Sequence, residues 1–192
     1  GTGDCRLKYV VLGSSSFYAK AFLEVLLQHG EHVITLERPH FDILKDYTIP
    51  ECDFVVNFIA ESLVAESWDD PEKWMQTNVL ASTRLLTKIP KGAAFIHVST
   101  PEVYGSNSNW LKERRDYLPS TPYAVSRAAF DMLLNAYWKA KQFPMMITRT
   151  ANIYGRCQQD YRLIPKAFRL LKNDKKFPIH GTGKSQRSFI HV

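Results

Sequence analysis

A tyrosine and an arginine stand four residues apart in Tyr123-Ala124-Val125-Ser126-Arg127, at the opening of a long helical segment. Residues i and i+4 share one helix face, and a fixed cation near a phenol favours the phenolate. A tyrosine prepared in this way can take a hydroxyl proton while a hydride leaves the same carbon. Upstream, Ser99-Thr100-Pro101-Glu102-Val103-Tyr104-Gly105 leaves an apolar run and sets polar groups at a strand's carboxyl end. Ligands of open parallel sheets bind at that edge. Taken singly, each of these residues is more often structural; the joint spacing points to chemistry.

A second signal lies near the amino terminus. The apolar run Lys8–Leu12 enters a tight turn, Gly13-Ser14-Ser15-Ser16, and a helix follows from Phe17. Free N–H groups at a helix start, reinforced by the helix dipole, attract a pyrophosphate. The full glycine pattern has glycine at three positions, which Gly13, Ser16 and Ala19 occupy here. Serine and alanine are small enough for close approach, and the serine hydroxyls add donors. A dinucleotide is therefore expected over Gly13, Ser15, Ser16 and Phe17. Glu37 closes the second strand, where a carboxylate accepts from adenosine ribose hydroxyls. Arg38 follows it and can pair with a 2′-phosphate, so the two residues point to different cofactors. The reading leans to NAD and leaves NADP open.

The elements that must position these groups alternate. Strands are expected at Lys8–Leu12, 33–36, 54–59, Ala94–Val98 and Met145–Thr148, and helices at 17–29, 71–89 and Pro122–Lys141. Such alternation predicts an α/β fold, a Rossmann-type doubly wound parallel sheet covered on both faces. Residues 1–150 form the nucleotide-binding domain in this reading, and 151–192 begin a smaller carboxyl-terminal substrate lobe. There the pattern is less regular, with a helix at 165–173 and short extended pieces near Ile179 and Phe189. An apolar strand-like piece ends the chain at Val192, so the natural protein is expected to continue.

Composition narrows the classes. No apolar run approaches the ~20 residues of a membrane span, and no signal-peptide pattern opens the chain. Cys5, Cys52 and Cys157 are scattered, with no metal-ligand spacing, so no metal and a reducing cytoplasm are expected. The net charge of +6 comes from residues interleaved with structural elements. They form no continuous basic run, and no nucleic-acid recognition motif accompanies them.

Across nearly its whole length the chain resembles the extended short-chain dehydrogenases/reductases of the NAD-dependent epimerase/dehydratase family, in the dTDP-glucose 4,6-dehydratase-like branch. The matching stretches are Asn57-Phe58-Ile59-Ala60-Glu61-Ser62, Thr77-Asn78-Val79, Val98 to Gly105, Ser120 to Arg127, Arg149-Thr150-Ala151-Asn152-Ile153-Tyr154-Gly155 and Arg187 to Val192. The resemblance implies that Tyr123 deprotonates the 4-hydroxyl of a nucleotide-diphosphate sugar and that Thr100 hydrogen-bonds the same hydroxyl. Arg127 stands where the family has a lysine on the nicotinamide ribose. Asp42 matches an acidic residue near the adenine, and Ala60 lines the cofactor. Asn152 and Arg187 match contacts to the nucleotide diphosphate, Arg162 borders the nucleotide, and Ser62 falls on the substrate side. Glu102 matches the base that removes the C5 proton. Members of the family often pair through two helices of each subunit, here 71–89 and Pro122–Lys141, giving a homodimer.

Three departures stand out. Between Leu36 and Phe54 there is room for only a short strand around Asp42, without the usual helix. Pro101 replaces the aspartate that protonates the departing C6 hydroxyl, and it has no proton to give. Arg127 is bulkier than lysine and permanently charged. The expected function is an enzyme that oxidises a nucleotide sugar at C4, most like a dTDP-glucose 4,6-dehydratase. A nucleotide-sugar epimerase, a decarboxylase and a non-catalytic nucleotide-binding homologue are the alternatives.

Overall fold

Val10 and Val11, like Val55 and Val56, are buried side by side along their strands, so both faces of the sheet are covered. The computed structural model describes residues 6–105, 111–114, 116–179, 182–183 and 186–192. Gly1, Thr2, Gly3, Asp4, Cys5 and Lys184 lie outside them. The chain divides into two compact units, Gly1–Arg149 and Thr150–Val192.

In the first unit five strands run parallel in the order β2-β1-β3-β4-β5. They are β1 (Lys8–Leu12), β2 (His32–Leu36), β3 (Phe54–Asn57), β4 (Ala94–Val98) and β5 (Met145–Thr148). Pleating sends alternate side chains to opposite faces. Val10, Leu12, Val55 and Phe95 meet Leu85, Phe130 and Leu134 on one face. Val11 and Val56 meet Leu26 on the other. The helices are α1 (Phe17–Gln28), α2 (Pro71–Met75), α3 (Ser82–Leu86) and α4 (Pro122–Lys141). Thr121 caps α4 by accepting from the Ala124 N–H at 3.1 Å, and Pro122 fills its first position.

Several expectations need correction. The helix expected over 71–89 ends at Leu86, and its middle, Gln76–Ala81, is π-helical. β3 stops at Asn57, because the Asn57 Oδ1 turns back to accept from the Ile59 N–H at 3.0 Å. No strand forms around Asp42. Phe41 and Ile43 are buried against the β-sheet core as loop residues, and the connection has no helix. The sheet order reverses between β1 and β3, which opens a crevice at their carboxyl ends.

In the second unit β6 (Asn152–Tyr154) pairs in parallel with β7 (Phe189–His191). The helix α5 (Leu163–Lys172) starts two residues before the expected proline. Pro165 sits in the first turn, where its missing N–H has no intrahelical partner to lose. Ile179 belongs to no strand. Among the described residues no helix is long and apolar enough to cross a membrane, and no cluster of His, Cys, Asp and Glu could hold a metal ion.

Candidate active site

The crevice between β1 and β3 is built from the turn upward. Gly13 has φ +73°, and a Cβ there would come within 3.0 Å of the Ile59 side chain and 3.1 Å of its backbone nitrogen. Only glycine satisfies both the left-handed backbone and that approach. Ser16, at the second glycine position, caps α1 by accepting from the Ala19 N–H at 3.1 Å. Ala19, at the third, is fully buried. The two replacements thus serve as helix cap and helix packing.

Gly13, Ser15, Ser16, Glu37, Arg38, Asp42 and Ala60 all line one pocket of ≈ 260 Å³, with Phe41, Phe58 and Thr77. Phe17 is the first residue of α1 beside it. Arg38 and Asp42 face each other at 3.6 Å across one rim. Glu37 Oε2 is buried with no hydrogen-bond partner. An unpartnered buried carboxylate oxygen is costly in isolation and fits a ligand that brings hydroxyl donors, as a ribose does. The glycine cradle and this orphaned acceptor together fit the nucleotide half of a dinucleotide.

Thr100 and Glu102 follow β4. Thr100 is buried and its Oγ1 accepts from the Glu102 N–H at 3.3 Å, capping a single 3₁₀ turn, Pro101–Tyr104. The turn ends at Gly105, whose φ is +75° and where a Cβ would collide with the Leu118 carbonyl oxygen. Tyr123 is the second residue of α4 and is 8% exposed. Its N–H donates to Ser67 Oγ at 3.1 Å, and its carbonyl accepts from Ser126 Oγ at 2.7 Å. Ser126 in turn accepts from Asn78 Nδ2 at 2.9 Å. Asn78 Oδ1 also accepts from the Glu61 N–H at 2.9 Å, and Nδ2 donates to the Glu61 carbonyl at 3.0 Å. One buried amide on the π-helical stretch therefore ties the loop after β3 to the helix bearing Tyr123. Sequence reading matched Asn78 within a motif and assigned it no role, since helical periodicity carries no sign of a π turn.

Arg127 is placed differently from the simple i, i+4 picture. It is 3% exposed, and its guanidinium donates to the Val98 carbonyl and lies 3.4 Å from His97 Nε2. His97 is itself buried, and burial together with Arg127 and Arg149 holds its pKa well below the ordinary imidazole value. Asp131, one turn further along α4, is fully buried and pairs with Arg149 at 2.8 Å. Burial raises the Asp131 pKa against the opposing pull of Arg149. None of His97, Asp131 and Arg149 was singled out as a site residue from sequence, because their contacts join distant positions.

Ser62 is exposed on the loop after β3. The second unit holds Asn152, Arg162 and Arg187. Asn152 Nδ2 donates to the Ser188 carbonyl at 3.1 Å, which sets it beside the segment bearing exposed Arg187. Arg162 precedes α5, with its guanidinium 5.3 Å from the Tyr161 ring centre.

Residues 9–192 match the model of the NAD dependent epimerase/dehydratase family. A similar relative is the dTDP-D-glucose 4,6-dehydratase of Dictyostelium discoideum, 37% identical over 154 residues, covering 73% of this chain and 36% of that protein. The Homo sapiens dTDP-D-glucose 4,6-dehydratase is 34% identical, covering 73% of this chain and 41% of its own length. The chain thus spans less than half of these curated relatives. Among solved structures, a double mutant of the Streptomyces venezuelae dTDP-glucose 4,6-dehydratase DesIV, with NAD bound, has a TM-score of 0.82 at 27% identity. That likeness covers 95% of this chain and 67% of the other.

Proposed function

Because this chain belongs to the NAD dependent epimerase/dehydratase family, we propose that it forms the cofactor-binding and catalytic part of an enzyme that oxidises C4 of a nucleotide-diphosphate sugar. The reaction is most like that of a dTDP-glucose 4,6-dehydratase. One observation carries the reading: seven residues chosen from sequence line a single crevice at the sheet's switch point, with Glu37 Oε2 left unpartnered there. Gly13, Ser15, Ser16, Phe17, Glu37, Asp42 and Ala60 hold the cofactor, and Arg127 completes its site from α4. NAD supplies the hydride acceptor when bound. Tyr123 takes the proton of the sugar 4-hydroxyl, and Thr100, whose hydroxyl proton is not spent on the Glu102 N–H it caps, orients that hydroxyl. Glu102 accepts the C5 proton once the 4-keto group has acidified it. Ser62, Asn152, Arg162 and Arg187 bind the nucleotide sugar. The protein works in the cytoplasm, as a homodimer pairing through the helices of 71–86 and through α4.

Pro101 favours a second reading within the same chemistry. It opens the 3₁₀ turn beside Glu102 and has no proton for a departing C6 hydroxyl. An epimerase or decarboxylase needs no such donor.

The first test is calorimetry with NAD and with NADP. Glu37 predicts tighter binding of NAD; a clear preference for NADP would give Arg38 the deciding role, and no binding of either rejects the cofactor site. The second is a panel of dTDP- and UDP-sugars added to the NAD-loaded protein in single-turnover format. Appearance of nicotinamide absorbance with one of them is expected. Silence across the panel, with NAD bound, moves the reading to a non-catalytic nucleotide-binding homologue.

A further inference from the structure

Asp131 and Arg149 hold both ends of the segment that carries Thr100 and Glu102. At its start, Ser99 Oγ donates to Asp131 Oδ2 at 2.8 Å. The same oxygen accepts from Arg149 Nε at 3.0 Å and Nη2 at 2.8 Å. At its end, Arg149 Nη1 donates to the Tyr104 hydroxyl at 2.8 Å, and Nη2 donates to the Tyr117 hydroxyl. The guanidinium also lies 5.2 Å from the Tyr104 ring centre and 5.1 Å from that of Tyr117. A planar guanidinium with donors in a fixed fork can serve these directions together, which a lysine cannot. Charge-assisted bonds are shorter and stronger than neutral ones, and Asp131 is fully buried, so water does not compete for it. Between the anchored ends only a short 3₁₀ turn intervenes.

We propose that Asp131 and Arg149 are positioning residues for Thr100 and Glu102, acting through Ser99 and Tyr104. They touch no reacting atom. Their effect is to fix the strand-to-turn segment, so that the Thr100 hydroxyl and the Glu102 carboxylate keep one placement at the carboxyl end of β4. The catalytic consequence rests on the function proposed above; the mechanical consequence does not.

The experiment uses Ser99→Ala, Tyr104→Phe and the double variant, which release the two ends and leave the Asp131–Arg149 pair in place. Backbone hydrogen exchange is followed by mass spectrometry, and C4 oxidation by single turnover. Expected is at least ~10-fold faster exchange of amides 99–105 in the double variant, with the β1 and β3 peptides and the NAD affinity unchanged. The single-turnover rate should fall ~10- to 100-fold, as misplacements of about 1 Å do, with little change in sugar KM. Ser99→Thr, which keeps the hydroxyl, should restore the rate. Unchanged exchange at 99–105 in the double variant overturns the proposal. Exchange that rises equally in β1 and β3 overturns it too, since the pair would then support the fold alone. If the parent protein binds NAD but oxidises no nucleotide sugar, the proposed function fails and the exchange result still decides the clamp.

Discussion

Replacing Tyr123 by phenylalanine should lower the rate of C4 oxidation by ~10²–10⁴, the usual cost of losing a general base, or about 3–5 kcal/mol of barrier. The fold has little reason to respond. The Tyr123 backbone is anchored by Ser67 Oγ at 3.1 Å and Ser126 Oγ at 2.7 Å, and neither bond uses the phenol oxygen. The ring stays buried in either variant. NAD affinity and the unfolding midpoint should therefore stay near the parent values while single-turnover absorbance is lost. Equal rates for the two proteins would remove Tyr123 from the mechanism. Glu102→Gln separates the steps: it leaves the 4-hydroxyl chemistry intact and blocks events at C5, so absorbance should rise and persist.

Much of this site was readable because its signals are local. Apolar runs ending at Gly13 and Glu37 mark strands whose next residues reach a sheet edge, and the structure places those residues in one crevice. The helix α4 begins and ends where expected because Thr121, Pro122 and the turn at Gln142 leave no alternative register. The absence of the usual helix between β2 and β3 was also expected, and residues 37–53 hold none.

Other features have no local signature. Phe41 and Ile43 alternate around Asp42 as a strand would, yet their burial comes from packing on the sheet face without a ladder. Spacing placed Tyr123 and Arg127 on one face but could not direct a long side chain, and the guanidinium is engaged with β4 at Val98 and His97. The Asp131 network joins residues 18 and 32 positions apart. Periodicity within one helix does not reach that far. The residues of the second unit proposed to bind substrate were matched by motif alone, and most of them are exposed in it.

The same network predicts how stability depends on pH. His97 is 1% exposed, edge-on to Phe130 with ring centres 4.8 Å apart. Facing it are Arg127 at 3.4 Å, Asp131 Oδ1 at 3.8 Å and the Asn57 amide at 3.4 Å, with Arg149 acting at longer range. Burial is the main cause, and the Arg127 and Arg149 guanidinium groups add to it, so the folded imidazole stays neutral well below its ordinary pKa of 6.5. The unfolded chain then binds the proton more readily. Stability from this group is fully present above pH 6.5 and is lost as pH falls toward the folded pKa, by up to ~1.4 kcal/mol per unit. Asp131 works in the opposite sense: its raised pKa lets the folded state bind a proton first, so acid restores part of the loss as pH falls through that value toward 3.8. Urea unfolding between about pH 7 and about pH 5 should show stability falling with pH in the parent. His97→Gln keeps an acceptor for Arg127 and removes the titration. Whatever its stability at neutral pH, its profile over that window should be flatter; a slope equal to the parent's would assign the acid sensitivity to other groups.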